Sequence, residues 1–310
     1  MVSPPVKSAA TAPNTPRASG AKAGPCNIID GKALAAAVKA DVRARASKLA
    51  AQGRPVRLDA ILATADGGAA TYARNQATTC REMGIEYHLQ ELPAHDTFED
   101  IAGRVLLMNA DDDIHAIMLH LPLPPGVDTE RIQSLIAIEK DVEGVNPANI
   151  GNVVYGRRSL VPCTALAVME MIESTGVKLP GAVCVCVGAS NIVGKPVAVL
   201  LMRAEATVIS TNIHTRGLKD ITRTADVLVS AVGKPGLITR DCVKPGAVVV
   251  DVGISRVKGA DGKDKTVGDV AFDEVCAAVG SGGAVSPVPG GVGPMTVAML
   301  LRNTVDAAER

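Results

Sequence analysis

A few short stretches hold residue types whose spacing could support chemistry. In "GGAATYARNQATTC" (residues 67–80) a glycine pair leads to Tyr72 and, one helical turn later, Gln76. The phenol ring can pack on a planar ligand, and the amide can hydrogen-bond but does not titrate near neutrality. With only three tyrosines, two phenylalanines and no tryptophan in the chain, a tyrosine just past a Gly-rich loop needs a reason. His120 opens "HLPLPPG" (120–126) and Glu143 lies in "KDVEGVNP" (140–147). An imidazole and a carboxylate can both move protons. Taken singly, His120 reads as a strand-end residue and Glu143 as a surface turn carboxylate. Ligands of open α/β sheets gather at the carboxyl ends of strands, so the three stretches could share one cleft.

A second kind of chemistry is written in the turn Gly188-Ala-Ser-Asn-Ile-Val-Gly194, which joins an apolar strand to a helix. Backbone N–H groups and the helix dipole favour a phosphate there, although Ser190 replaces the second glycine of a strict G-x-G-x-x-G. The next strand ends in "STNIHTRG" (210–217), with His214, Thr215 and Arg216 and no carboxylate. Hydroxyls and a cation suit a 2′-phosphate, which favours NADP and leaves NAD open. A third stretch, "SPVPGGVGPMT" (286–296), packs three prolines and three glycines into eleven residues. It predicts a fixed irregular loop entering a helix, with backbone groups offered to a ligand or a rigid linker as the plain alternative.

The elements that must position these groups alternate. "LAAAVKADVRARASKLAAQG" (34–53) reads as an amphipathic helix, followed by a strand at "RLDAILATA". Strands at "IEYHLQELP" and "AIMLHLPLPP" flank a helix at "TFEDIAGRVLLMNADD". From about Gly151 a second unit repeats the alternation, through "AVCVCVG", "ADVLVSAV" and "GAVVVDVGI". The expected fold is therefore two-domain α/β, with parallel sheets and crossover helices. "GPMTVAMLLRNTVDAAER" forms a last helix with no strand after it, so it must dock elsewhere, the first unit being the candidate.

Composition bounds the rest. The 310 residues carry 32 basic and 32 acidic side chains, so no global field favours nucleic acid or an anionic membrane. No apolar run reads as a membrane span. Seven scattered cysteines, with Cys184-Val-Cys186 mis-spaced for zinc, read as buried or idle thiols in a reducing, cytoplasmic setting. No metal site is expected. Residues 1–25 are Pro/Ala/Ser-rich and acid-free, and read as a disordered extension, with a transit peptide left open.

Together the motifs resemble the methylenetetrahydrofolate dehydrogenase/methenyltetrahydrofolate cyclohydrolase family. The resemblance rests on "IIDGK" (28–32), "HLPLPPG", "KDVEGVNPANIG" (140–151), "PCTALAV" (162–168), "VGASNIVGKP" (187–196), "ADVLVSAVGKPG" (225–236), "GAVVVDVGI" (246–254), "VGDV" (267–270) and "SPVPGGVGPMTVAMLLRNT" (286–304). It implies a folate-binding unit over 26–150, completed by 285–310, and a Rossmann-like NAD(P)-binding unit over 151–284, commonly as a homodimer. It also implies that Tyr72, Leu121, Pro287, Gly290 and Gly291 meet the folate. Thr164, Ile192, Gly233, Pro235, Ile254 and Thr296 would join Gly188, Ser190, Gly194 and the 214–216 turn at the cofactor.

The same resemblance exposes departures. Gln76 stands where the family has a catalytic lysine, His120 where it has glutamine, and Glu143 where it has aspartate. Oxidising a methylene between two nitrogens needs alignment with the nicotinamide and no side-chain base. Opening the methenyl ring with water needs proton transfer, which typically supplies ~10²–10⁴-fold. The expectation is a dehydrogenase with weak or absent cyclohydrolase activity. Two alternatives stay open: a rebuilt His120/Glu143 acid–base pair, in which Glu143 would raise the imidazole pKa, and a non-catalytic folate- or nucleotide-binding paralogue.

Overall fold

The computed structural model describes residues 25–64, 66–259 and 262–310. The extension expected at 1–25 therefore lies, apart from Pro25, outside the described residues. Within the described residues the first elements are strand β1 (Asn27–Ile28) and helix α1 (Gly31–Ala51), whose N-cap Asp30 accepts from the Lys32 and Ala33 N–H groups. Next come β2 (Arg57–Leu62), α2 (Gly67–Met83), β3 (Glu86–Glu91), α3 (Phe98–Ala110) and β4 (Ala116–His120). Helices α4 (Thr129–Leu135), α5 (Pro147–Tyr155) and α6 (Cys163–Glu173) lead to the second unit. It contains β5 (Val183–Val187), α7 (Gly194–Arg203), β6 (Thr207–Thr211), α8 (Leu218–Thr222), β7 (Val227–Ser230) and β8 (Val248–Asp251). Strands β9 (Ser255–Lys258) and β10 (Asp264–Val267) form an antiparallel hairpin. Helix α9 (Phe272–Val279), strand β11 (Ala284–Val285) and helix α10 (Val292–Ala308) complete the chain.

Two parallel sheets result. The first runs β3-β2-β4, with Leu62 paired to both Glu91 and His120, so His120 ends its strand at the carboxyl edge. The second runs β1-β11-β8-β7-β5-β6, and all five pairs are parallel. Its inner strands β5, β7 and β8 are short Val-rich runs that are almost wholly buried, as a sheet covered by helices on each side requires, while the edge strands β1 and β6 are more exposed. Asn27 and Ile28 join this second sheet although they lie at the start of the chain.

Helix α10 packs against both α1 and α6, so the last helix does return to the first unit. One cluster of buried side chains spans this junction, including Val42, Met118, Val142, Met171, Val229 and Met299. Small and branched residues do the filling that aromatic side chains do elsewhere. Buried Asn303 stitches the junction, donating to the Val142 and Val161 carbonyls at 2.8 and 3.0 Å.

The cysteine expectation needs correction. Cys80, Cys163, Cys184, Cys186 and Cys242 are free and buried, but Cys26 and Cys276 form a disulfide across 250 residues of chain. The pairing was hidden in the sequence because only the second sheet brings the strand start beside α9. Among the described residues no helix is long and apolar enough to cross a membrane.

Candidate active site

Two adjoining cavities lie at the junction of the units. The first, about 400 Å³, is walled by Tyr72, Met118, His120, Leu121, Glu143 and Cys163, with Ile192 and Leu300 at its sides. The second, about 530 Å³, is walled by Lys32, Asp251, Gly253, Ile254 and the Pro287–Pro294 loop. Tyr72, Thr164, Thr296 and Val297 line both, so the two form one cleft. Thr296 Oγ1 donates to the Val292 carbonyl at 3.2 Å and lies 3.4 Å from Thr164 Oγ1.

Each wall residue owes its place to an element end. Asp66 caps α2 by accepting from the Gly68 N–H, which starts the helix in time for Tyr72 to reach the cleft. Tyr72 is 47% exposed and meets the His120 ring edge-on, centroids 5.8 Å apart. Leu121 follows β4 and is half exposed, its bond to Pro122 cis, as is Val288–Pro289. Glu143 sits within a turn held by buried Asp141, whose carboxylate accepts from the Val145 and Asn146 N–H groups and the Asn149 amide.

Gln76, His120 and Glu143 do not gather into one constellation. Gln76 is 3% exposed, donates its amide to Cys80 Sγ at 3.6 Å and is not on the cleft wall. No lysine or arginine lines the first cavity, and Lys32 stands in the second, against Gly290. His120 and Glu143 share the wall but no hydrogen bond. His120 Nε2 instead lies 2.7 Å from the Tyr87 hydroxyl. The expected rise in the His120 pKa is also reversed, because burial pushes the imidazole down. Glu143 moves the other way: burial lifts its carboxyl to about 7, against a single Leu119 N–H that favours the anion.

Sequence reasoning missed Tyr87, Cys163 and Asp251. Cys163 donates to the Val142 carbonyl, and burial pushes its thiol up, so it behaves as a wall group with no free anion. Asp251 ends β8 and accepts from the Gly253, Asp269 and Val270 N–H groups, with burial raising its pKa to about 6. Asp269 accepts from Ser230 Oγ and the Val232 and Lys234 N–H groups. These two carboxylates fix the backbone that carries Gly233, Pro235 and Ile254. A strand-end Asp before Gly was the visible signal for Asp251, and its partners were not readable.

The turn 188–194 is closely packed, as a dinucleotide phosphate site requires. A Cβ on Gly188 would meet the Ala231 carbonyl at 2.4 Å, and one on Gly194 would meet the Gly188 carbonyl at 2.0 Å. Gly188 also holds φ +104°, a conformation that L side chains rarely adopt. Ser190 Oγ accepts from the Gly194 N–H, and its carbonyl from the Lys195 N–H, closing the turn. The N–H groups of Asn191, Ile192 and Val193 find no acceptor within the described residues, at the start of a ten-residue helix. Those donors suit an anion. Past β6, Thr215 Oγ1 accepts from the Asn212 N–H and Asn212 Oδ1 from the His214 N–H, with His214 and Arg216 exposed.

Comparison with known proteins gives one answer. Residues 29–143 match the catalytic-domain model of tetrahydrofolate dehydrogenase/cyclohydrolase, and residues 162–310 match its NAD(P)-binding domain. The bifunctional protein FolD of Bordetella petrii is 48% identical over 297 residues, covering 96% of this chain and 97% of that protein. That of Moorella thermoacetica is 46% identical over 286 residues, 92% of this chain and 100% of that one. The crystal structure of the Campylobacter jejuni bifunctional enzyme FolD superposes with a TM-score of 0.86 at 39% identity, covering 92% of this chain and 99% of that one. The Trypanosoma brucei enzyme, complexed with NADP cofactor and inhibitor, gives 0.84 at 37% identity, with 92% and 98% covered. The chain belongs to the tetrahydrofolate dehydrogenase/cyclohydrolase family.

Proposed function

We propose that the chain oxidises 5,10-methylenetetrahydrofolate to 5,10-methenyltetrahydrofolate with NADP, and that its cyclohydrolase step is weak or lost. The carrying observation is the fate of position 76: a non-titrating amide packed on Cys80, with no lysine or arginine on the wall around His120 and Glu143. In this reading Tyr72 offers its ring to the pterin, and Leu121, Pro287, Gly290 and Gly291 flank the rest of the folate. The turn at Gly188, Ser190 and Gly194 takes the pyrophosphate, and His214, Thr215 and Arg216 take the 2′-phosphate. Thr164, Ile192, Ile254 and Thr296 flank the shared part of the cleft, where the bound nicotinamide supplies a hydride acceptor. The chain's own part is to align the two and exclude water, since the nitrogens beside the methylene drive hydride departure.

Ring opening is different, because water must lose a proton and the leaving nitrogen must gain one. Gln76 can do neither. A second reading is favoured by one observation, the Glu143 carboxyl held near 7 on the cavity wall. It could hold or release a proton at neutral pH and sustain slow hydrolysis without His120 as partner.

Dehydrogenase and cyclohydrolase assays run in parallel on wild type, Gln76→Lys and Glu143→Gln separate these. Hydride transfer without matching hydrolysis, and hydrolysis regained in Gln76→Lys, is the expected result. A wild type that hydrolyses methenyltetrahydrofolate as fast as it reduces NADP sinks the proposal. Residual hydrolysis abolished in Glu143→Gln supports the second reading. The folate-binding unit over 26–150 with 285–310, the nucleotide-binding unit over 151–284 and a homodimer belong to the same proposal and rest on the family resemblance, while a cytoplasmic setting rests on the five free, buried cysteines among the described residues. Sedimentation of the purified chain tests the dimer.

A further inference from the structure

We propose that Tyr87 is a positioning residue: its hydroxyl donates to His120 Nε2, fixes the imidazole as the Nδ1–H tautomer, and so makes Nδ1–H the donor that His120 keeps for a ligand in the cleft. Register brings the pair onto one face. Tyr87 is paired to Leu58 and Leu58 to Ala116, so Ala116, Met118 and His120 share the face of Tyr87 by alternation along β4. The phenol reaches across β2 to the imidazole at 2.7 Å.

The direction of that bond follows from what else is present. Among the described residues, the Tyr87 hydroxyl has no hydrogen-bond partner besides His120 Nε2, so its proton goes there. Burial raises the phenol pKa and lowers that of the imidazole, so it favours the neutral form of both. A neutral imidazole has one N–H and one lone pair. If Nε2 supplies the lone pair, Nδ1 carries the proton. His120 lines the cavity, is 2% exposed, and has the Tyr72 ring against it, which leaves little freedom to turn. Its Nδ1–H then suits an acceptor on a planar ring, a carbonyl oxygen or an imine nitrogen. An imidazole N–H so fixed can replace the amide N–H of a glutamine at this strand end, which a freely tautomerising histidine cannot do reliably.

The ligand half of this inference rests on the folate reading; the tautomer half does not. The chain has five histidines, so full-length protein labelled with ¹⁵N-histidine, compared with His120→Gln, identifies the His120 signals in two-bond ¹H–¹⁵N spectra. The wild type should show a single Nδ1–H pattern, and Tyr87→Phe, which keeps the ring, should lose it. In calorimetry, Tyr87→Phe should bind tetrahydrofolate about three- to tenfold more weakly, the worth of one hydrogen bond, with NADP affinity unmoved. An Nε2–H pattern in the wild type, or an unchanged pattern in Tyr87→Phe, overturns the proposal. A tautomer change with unchanged folate affinity overturns the ligand-facing role of Nδ1–H. A wild type that binds no folate at all sinks the functional reading instead, and the spectra still judge Tyr87.

Discussion

Glu143 shows how a poorly solvated wall changes a carboxylate's behaviour. Its carboxyl moves from the ordinary 4.5 to about 7, so between these values the folded chain holds a proton that the unfolded chain releases. Stability contributed by the protonated group is complete below the unfolded value and is lost as pH rises through the folded one. Glu143→Gln removes that dependence. Relative to wild type, the variant should gain about 2–3 kcal/mol of stability between pH 5 and pH 8, measured by denaturant titration at both. A flat difference would mean that the carboxyl is already ionised at pH 5. His120 carries the opposite lesson: the sequence put it near a carboxylate, while the sheet gave it a phenol.

At the scale of elements, the strand-to-helix turn 188–194 was readable because it is local. Glycine pattern and apolar strand lie within a dozen positions, and backbone sterics do the rest. Gly194→Ala tests the turn directly, since the added carbon would meet the Gly188 carbonyl at 2.0 Å. The expected outcome is an NADP affinity reduced about tenfold or more, read by titration, with the thermal midpoint followed as a check on folding. NADP binding at wild-type strength would show that the turn does not touch the cofactor. Helix α10 was legible as an element and its return to the first unit was expected; its particular contacts with α1 and α6 were not readable, because they depend on two surfaces far apart in sequence.

Across the whole molecule, the ends of the chain hold the two units together. Strand β1 enters the second sheet while α10 returns to α1, and Cys26–Cys276 ties the start of β1 to α9. A non-reducing peptide map of protein alkylated during lysis should recover the Cys26–Cys276 linked peptide. Cys276→Ser should then cost the oxidised protein about 2–4 kcal/mol of stability. Recovery of both cysteines alkylated would show that the resting chain keeps them as thiols, as a reducing cytoplasm favours. By itself the sequence determined the α/β alternation, the phosphate-type turn and the family, because periodicity, glycine sterics and residue chemistry act over short spans. Only the tertiary structure decided that Gln76 faces Cys80, that Tyr87 holds His120 and that burial lifts Glu143. Those outcomes depend on strand register and on how much water each side chain loses, and no neighbouring stretch of sequence encodes either.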